Sequence, residues 1–380
     1  MKNRLIIFMS FFKSISYNVT MKKISLCMIV RNESSCLENC LSSVKNCVDE
    51  IIIVDTGSTD NTVEIAKKFT DKVYFFEWQN DFSLARNFSF DKATNDYILW
   101  LDADDIVPAA SVKKINEWKK SGEDCDTMMC KYVTGFDENH KPTFQFYRER
   151  IVKNLPILRW HDAVHEVIAP YGKIVYRDDI SVHHNKKSTT YSSRNLKIYQ
   201  SLLEKGEDFS PRQQFYYARE LYFNNMIDEA IHEFSKFLSS GKGWVENNIE
   251  CCLNLSRCYL LKGELENALT ALFGSFVYDC PRGEILYEIG YIFELKKDYK
   301  KAIYWYEQAM AAKPNTEGGG FCNLDAYTFL PALQLCVCYY KIGDYHTSRH
   351  YHEIAKGFRP ENPQVKNNEK FFTENKNDNK

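Results

Sequence analysis

An α/β domain with a largely parallel sheet, followed by an all-α domain of helical repeats, is the fold class this sequence predicts. Three observations carry it. From residue 21 to about 185, short apolar runs alternate with helical patterns, the order that builds a parallel sheet. A helix-turn-helix pattern then recurs to about residue 360 without strands. The run Tyr97-Ile98-Leu99-Trp100-Leu101 stops abruptly in Asp102, Asp104 and Asp105, as a buried strand does at the ligand edge of an open sheet. The expected boundaries are a disordered or non-native extension over 1–20, the α/β domain over 21–190, repeats over 191–360 and a disordered tail over 361–380.

In the extension, Lys2 and Arg4 precede Leu5-Ile6-Ile7-Phe8-Met9, a run too short to cross a bilayer and without a small-residue cleavage site after it. Met21-Lys22-Lys23 looks like a natural start for the α/β domain. Residues 24–30 read as the first strand. Ser35 with Glu38 reads as a capping box opening a helix whose face is Leu37, Leu41 and Val44. Residues 51–54 are the second strand, and the turn Asp55-Thr56-Gly57-Ser58-Thr59-Asp60 leads into a helix carrying Val63, Ala66 and Phe69. Residues 73–76 make the third strand and 84–90 a short helix, before the strand at 97–101.

In the second half, small residues recur early in each second helix: Ala230, Ala268, Ala302 and Ser348. Gly290, Ala302, Tyr306, Ala309 and Pro314 fall at the small, small, aromatic, small and proline positions of a tetratricopeptide repeat of about 34 residues. Gly263 and Gly343 stand five residues before their small positions, where a left-handed turn is needed. Gly318-Gly319-Gly320 reads as a loop inserted before the last unit. Such stacks hold peptides in a concave groove or mediate self-association, so a bound peptide or protein and a homodimer through the repeats are both expectations. From Pro360 onward the chain is polar and reads as disordered.

Composition narrows the class. The chain has 380 residues, 44% hydrophobic and 26% charged, with a net charge of −2. That is an ordinary globular balance with no electrostatic footprint for nucleic acid. No segment after the extension reaches the length of a transmembrane helix. The 13 cysteines form no Cys-x-x-Cys pair, so free buried thiols in a reducing cytoplasm are expected rather than a disulfide or zinc framework.

The chemistry concentrates at the acidic strand end. Crowded carboxylates repel unless something positive lies between them. A divalent cation, Mg²⁺ or Mn²⁺, answers that charge and is the usual means of holding a diphosphate. A solvated acidic loop is the plain alternative.

Four ordered motifs decide between them. Cys27-Met28-Ile29-Val30-Arg31-Asn32-Glu33, the turn from Val54 to Thr62, Asp81-Phe82-Ser83-Leu84-Ala85-Arg86-Asn87 and Leu101-Asp102-Ala103-Asp104-Asp105 together resemble family 2 glycosyltransferases of the GT-A, Rossmann-like fold. His165-Glu166 resembles a pair found in the repeat-bearing members. Peptide S-glycosyltransferases of bacteriocin clusters share this two-domain plan, whereas other members act on envelope sugars, so the plan leaves the acceptor open.

The resemblance implies a UDP-sugar donor, a divalent cation and inversion at the anomeric carbon. It makes Asp104 the direct metal ligand and Asp102 the ribose or water-mediated contact, and leaves Asp105 unassigned. Asp55 can accept the uracil imide N–H, and Asp60 can serve the donor or merely cap a helix. Arg86, with Asn87 beside it, is placed to pair with a phosphate or an aspartate; Arg31 is a weaker candidate for the same neighbourhood. Inversion needs one base, for which Glu166 is the choice and Asp162 the reserve. His183 or His184 could complete the cation's shell, and a core or surface role is equally open. His346, His350 and His352 read as a solvated helix face. A zinc-protease site fails because His-Glu-x-x-His is absent. A nucleotidyltransferase would show a phosphate loop that residues 24–33 lack. A repeat scaffold with a vestigial transferase domain would have no need of Asp55, Arg86, Asp102 and Asp104.

Overall fold

A computed structural model describes residues 21–185, 193–315 and 319–374; the extension over 1–20 lies outside the described residues. The first half begins with β1 (Ile24–Val30), α1 (Leu37–Val44), β2 (Glu50–Asp55), α2 (Thr62–Ala66), β3 (Val73–Phe75), α3 (Phe82–Phe90) and β4 (Tyr97–Trp100). These strands lie side by side in the order β3-β2-β1-β4, all parallel. The apolar runs are continuous because both faces are covered. Ile24, Leu26 and Met28 join the core under α1, while Cys27 points to the opposite core with Ile98, Trp100 and Phe90.

The sheet then becomes mixed. After β5 (Asp105–Ile106) and α4 (Ala109–Lys120), β6 (Thr127–Phe136) and β7 (Pro142–Lys153) form a long hairpin. β7 inserts antiparallel between β4 and β6. β8 (Trp160–His161) and β9 (Val167–Ile168) make a separate ribbon, and β10 (Ile174–His184) runs parallel to β6. The end of β10 folds against β5, pairing His184 with Asp105. That register brings the last strand of the domain to the acidic end of β4.

The capping box at Ser35 does not form. Cys36 holds the N-cap position without a side-chain bond. The Glu33 carbonyl instead accepts the N–H groups of Cys36 and Leu37 at 3.1 and 3.0 Å.

The helical half comprises α5 (Arg194–Glu204), α6 (Pro211–Phe223), α7 (Ile227–Ser239), α8 (Val245–Leu261), α9 (Leu265–Gly274), α10 (Gly283–Leu295), α11 (Tyr299–Ala311), β11 (Cys322–Asn323), α12 (Phe329–Lys341), α13 (Tyr345–Phe358) and α14 (Pro363–Glu374). Ala230, Ala268, Ala302 and Ser348 are fully buried, as the repeat pattern requires. Gly263 and Gly343 adopt φ of 75° and 85°, and Asn225 and Lys297 take the same left-handed turn in the other two units. A Cβ on Gly290 would lie 2.7 Å from the Tyr306 ring, which fixes how closely α10 and α11 approach.

Two expectations fail at the C-terminus for one reason. Residues 363–374 are helical rather than disordered, with Val365 fully buried against α12 and α13. His352 is buried too, 5.3 Å from the Phe372 ring, while His346 and His350 are exposed. A few apolar residues in a polar stretch suffice to dock one more helix. The inserted loop also leaves the stack: β11 pairs with β7, Cys322 opposite Gln145. All 13 cysteines are free, and only Cys280 is exposed. No helix among the described residues is long and apolar enough to cross a membrane.

Candidate active site

A cleft of about 880 Å³ opens between the C-terminal ends of the parallel strands and the first repeats. Arg31, Arg86, Asp102, Asp104, Glu166 and His184 all line it. Asp55, Asp60, Asn87, Asp162 and His183 do not.

The three aspartates after β4 have different surroundings. Asp105 is fully buried and ion-paired at 2.9 Å with Nη1 of Arg150, itself fully buried. It also accepts from the Tyr132 hydroxyl at 2.9 Å and the Asp102 N–H at 3.0 Å. The residue left unassigned by the sequence is therefore the anchor of the acidic turn. Asp102 and Asp104 are freed to face the cleft.

Arg86, buried within α3, organises the next layer. Its Nη2 donates to Asp102 Oδ1 and its Nε to Glu166 Oε1, both at 2.6 Å. The guanidinium lies 4.8 and 5.2 Å from the Trp160 and Trp100 ring centroids. Burial alone would raise the Asp102 pKa, but Arg86 and Arg150 outweigh it and hold the group down at about 2. Asn87 points elsewhere. Its amide brackets Trp160, donating to the carbonyl at 3.0 Å and accepting the N–H at 2.8 Å. It braces β8.

Asp104 Oδ1 lies 3.4 Å from Nδ1 of His184, which is 2.8 Å from the Tyr132 hydroxyl. Burial disfavours a charged His184, yet Asp104 and Asp105 prevail and lift its pKa to about 9. Adjacent residues on a strand face opposite ways. His183 accordingly turns from the cleft, to Ser181 Oγ at 3.1 Å and the Phe136 ring. Of the two histidines, His184 lines the cleft and His183 does not.

At the other rim, Asp55 closes its own turn by accepting from Gly57 and Ser58 N–H at 3.0 and 3.1 Å. Its neighbour Thr56 faces the cleft. Asp60 sits outside, tying the turn to the loop after β1 through the Thr62 and Ser34 N–H groups at 3.0 and 3.1 Å. That is a structural role. Glu33, absent from the residues expected at the site, lines the cleft, and burial with Asp104 and Asp102 nearby raises its pKa.

The segment before Glu166 is held by the repeats. Asp162 and His165 adopt φ of 72° and 53°, conformations that surrounding contacts must enforce. His165 Nε2 shares a hydrogen bond of 2.7 Å with Glu220 of α6, and its ring stacks on Tyr216 at 4.3 Å. Arg212 Nη2 donates to the His165 carbonyl at 3.2 Å. Asp162 faces Arg212 Nε at 3.8 Å rather than the cleft, and burial raises its pKa despite that cation. Of the two base candidates, only Glu166 faces the cavity.

The wall also includes Arg148, Tyr216, Arg219, Trp244, Asn247 and the inserted loop at Gly319, Gly320 and Phe321. The triple glycine signalled the insertion. Nothing in the local pattern signalled its return to the sheet. Glu220 did leave a trace, as a carboxylate set among the buried Phe215, Tyr216, Ala218 and Leu221.

A mixed sheet gathers carboxylates, an imidazole and arginines at its strand ends, and stacked helix pairs close over them. Residues 25–181 match glycosyl transferase family 2. A TPR repeat-containing protein of Synechococcus elongatus is 37% identical over 39% of this chain and 36% of its own length. The SPbeta prophage-derived glycosyltransferase SunS of Bacillus subtilis is 29% identical over 57% of this chain and 53% of its own. An uncharacterized glycosyltransferase of Rickettsia prowazekii is 26% identical over 58% of this chain and 87% of its own. The matched segments thus span about a third to a half of the first two relatives.

Proposed function

We propose that this chain is a metal-dependent, inverting glycosyltransferase that moves a hexose from a UDP-sugar to an acceptor seated between the sheet and the repeats. A peptide or protein side chain is the proposed acceptor. The observation that carries the reading is Arg86, bridging Asp102 and Glu166 beside Asp104 and His184.

Arg31 and Arg86 face the diphosphate end, where planar guanidinium groups match phosphate oxygens. Asp55 keeps lone pairs for the uracil imide N–H beyond the two bonds of its turn. Asp104, His184 and Asp102 would hold the divalent cation. Two carboxylates with one imidazole suit Mn²⁺ better than Mg²⁺, which prefers oxygen alone. When bound, the cation supplies Lewis-acid stabilisation of the charge that builds on departing UDP.

Glu166 takes the acceptor's proton as the acceptor attacks the anomeric carbon. Among the described residues its Oε1 is committed to Arg86, which leaves Oε2 as the basic atom. Arg86 also fixes the distance between the base and Asp102, so acceptor and donor are oriented by one side chain.

Incubating the protein with UDP-hexoses and Mn²⁺ and measuring UDP release tests this. Release from at least one donor, abolished by EDTA, is expected. No release from any UDP-hexose overturns the donor assignment.

A further inference from the structure

The repeat-facing wall of the cleft holds polar groups that the transfer chemistry leaves unused. Arg219 of α6 lines the cleft with its guanidinium 4.9 Å from the Phe321 centroid and 5.5 Å from that of Tyr216. Among the described residues it makes no ion pair or hydrogen bond, and its Nε is buried without a partner. Asn247, 6% exposed in the first turn of α8, lines the same wall, and its amide makes no hydrogen bond among the described residues. Trp244, the N-cap of α8, presents a half-exposed indole there. Gly320 lets the inserted loop close over this wall, since a Cβ would fall 2.3 Å from Glu246 Oε2.

Neighbouring charges are matched. Arg148 pairs with Glu149, Arg212 faces Asp162, and Glu246 pairs with Arg282. The wall therefore carries a guanidinium that lies among the rings of Phe215, Tyr216, Phe223 and Phe321 without an anionic partner, beside an amide that makes no hydrogen bond among the described residues. Partial burial of such groups costs free energy unless a ligand completes their bonds. The planar guanidinium fork fits a carboxylate through two parallel bonds. One positive charge balances a monoanion. A phosphate dianion would leave one negative charge unbalanced against Arg219.

We propose that this wall is a subsite for a carboxylate borne by the acceptor, with Arg219 forking the two oxygens, Asn247 donating its amide and Trp244 covering the adjoining group. That the carboxylate belongs to an acceptor rests on the transferase reading; the carboxylate site itself does not. An acidic peptide side chain and a hexuronate offer the same chemistry.

Calorimetric titration with two probe pairs tests it in the presence of UDP and Mn²⁺. The peptide pair is blocked Gly-Glu-Gly and Gly-Gln-Gly; the sugar pair is glucuronate and glucose. The acidic member of at least one pair should bind about tenfold or more tighter than its neutral partner, and which pair responds identifies the source. Arg219→Gln should weaken that binding by roughly tenfold or more. Asn247→Asp, which sets a like charge beside the carboxylate while keeping Arg219, should do the same if Arg219→Gln fails to fold. Equal affinity for the acidic and neutral probes overturns the subsite, as does unchanged affinity in the variants or tighter binding of inorganic phosphate. Binding is read without turnover. Failure of UDP release in the wild-type protein therefore counts against the transferase reading alone.

Discussion

The Arg86 Nε donates to Glu166 Oε1 at 2.6 Å, joining a helix that precedes the acidic strand to a residue 80 positions later in the chain. Because the same guanidinium holds Asp102, removing it would free two carboxylates at once. Removing the Glu166 charge is the milder test. Glu166→Gln should keep donor binding, since Arg86 retains Asp102, while transfer falls by roughly a hundred- to ten-thousand-fold for loss of a positioned base. UDP affinity by calorimetry and kcat on the best UDP-hexose check this. Loss of donor binding instead would move Glu166 into the nucleotide site.

Asp104 faces the cleft with a partly exposed side chain, whereas Asp105 is sealed beneath it. Asp104→Ala should therefore abolish turnover and metal-dependent UDP binding yet leave the unfolding midpoint nearly unchanged. His184→Ala should weaken Mn²⁺ binding by at least about tenfold, and His183→Ala should not. A titration of turnover against Mn²⁺ after EDTA treatment reads both.

Arg150→Met should be a stability mutation. It strands the Asp105 carboxylate in a site with no exposed surface, and breaking a buried pair from one side costs about 3–5 kcal/mol. Replacing both partners, Arg150→Met with Asp105→Leu, should recover much of that loss. Urea unfolding of the two variants distinguishes a buried pair from a catalytic one.

The sequence conveyed what depends on local pattern and little of what depends on return contacts. The strand end at Asp102 and Asp104, the place of Arg86 and Glu166 at the cleft and the small repeat positions were readable, because periodicity and motif order are local. Asp105 was ambiguous because its partner Arg150 lies on β7, 45 residues away. Asn87 and Asp60 looked like ligand groups because an amide or carboxylate beside a motif cannot be told from one bracing a backbone. The tail looked disordered because Val365 and Phe372 are sparse, and their partners lie on the preceding helices.

Glu220 shows the same limit in a testable form. It reaches from the first repeats to His165, next to the proposed base. Glu220→Ala should lower kcat about tenfold or more, by loosening the strained turn at His165, while the donor KM stays close to wild type. Glu220→Gln, which keeps a hydrogen-bonding oxygen, should restore most of the rate. A rise in donor KM without a change in kcat would assign Glu220 to donor binding instead.

The acid stability of the α/β domain should depend on Glu50. This carboxylate sits at the start of β2 and is almost fully enclosed, with Ser25, Lys72 and Thr94 all bonded to it. Burial alone would raise its pKa. The bonds from Lys72, Ser25 and Thr94 outweigh that and lower it from 4.5 to about 2. A depressed carboxylate pKa means that the unfolded chain takes up the proton first. The stabilisation is thus complete above pH 4.5 and is lost as pH falls toward 2. At neutral pH it is on the order of 2–3 kcal/mol. Glu50→Gln should lose that amount at pH 7, and its stability should converge on the wild-type value as the pH approaches 2. Urea unfolding at several pH values in this window measures the difference. A gap between variant and wild type that stays constant across the window would mean that Glu50 stabilises the sheet by packing rather than by charge.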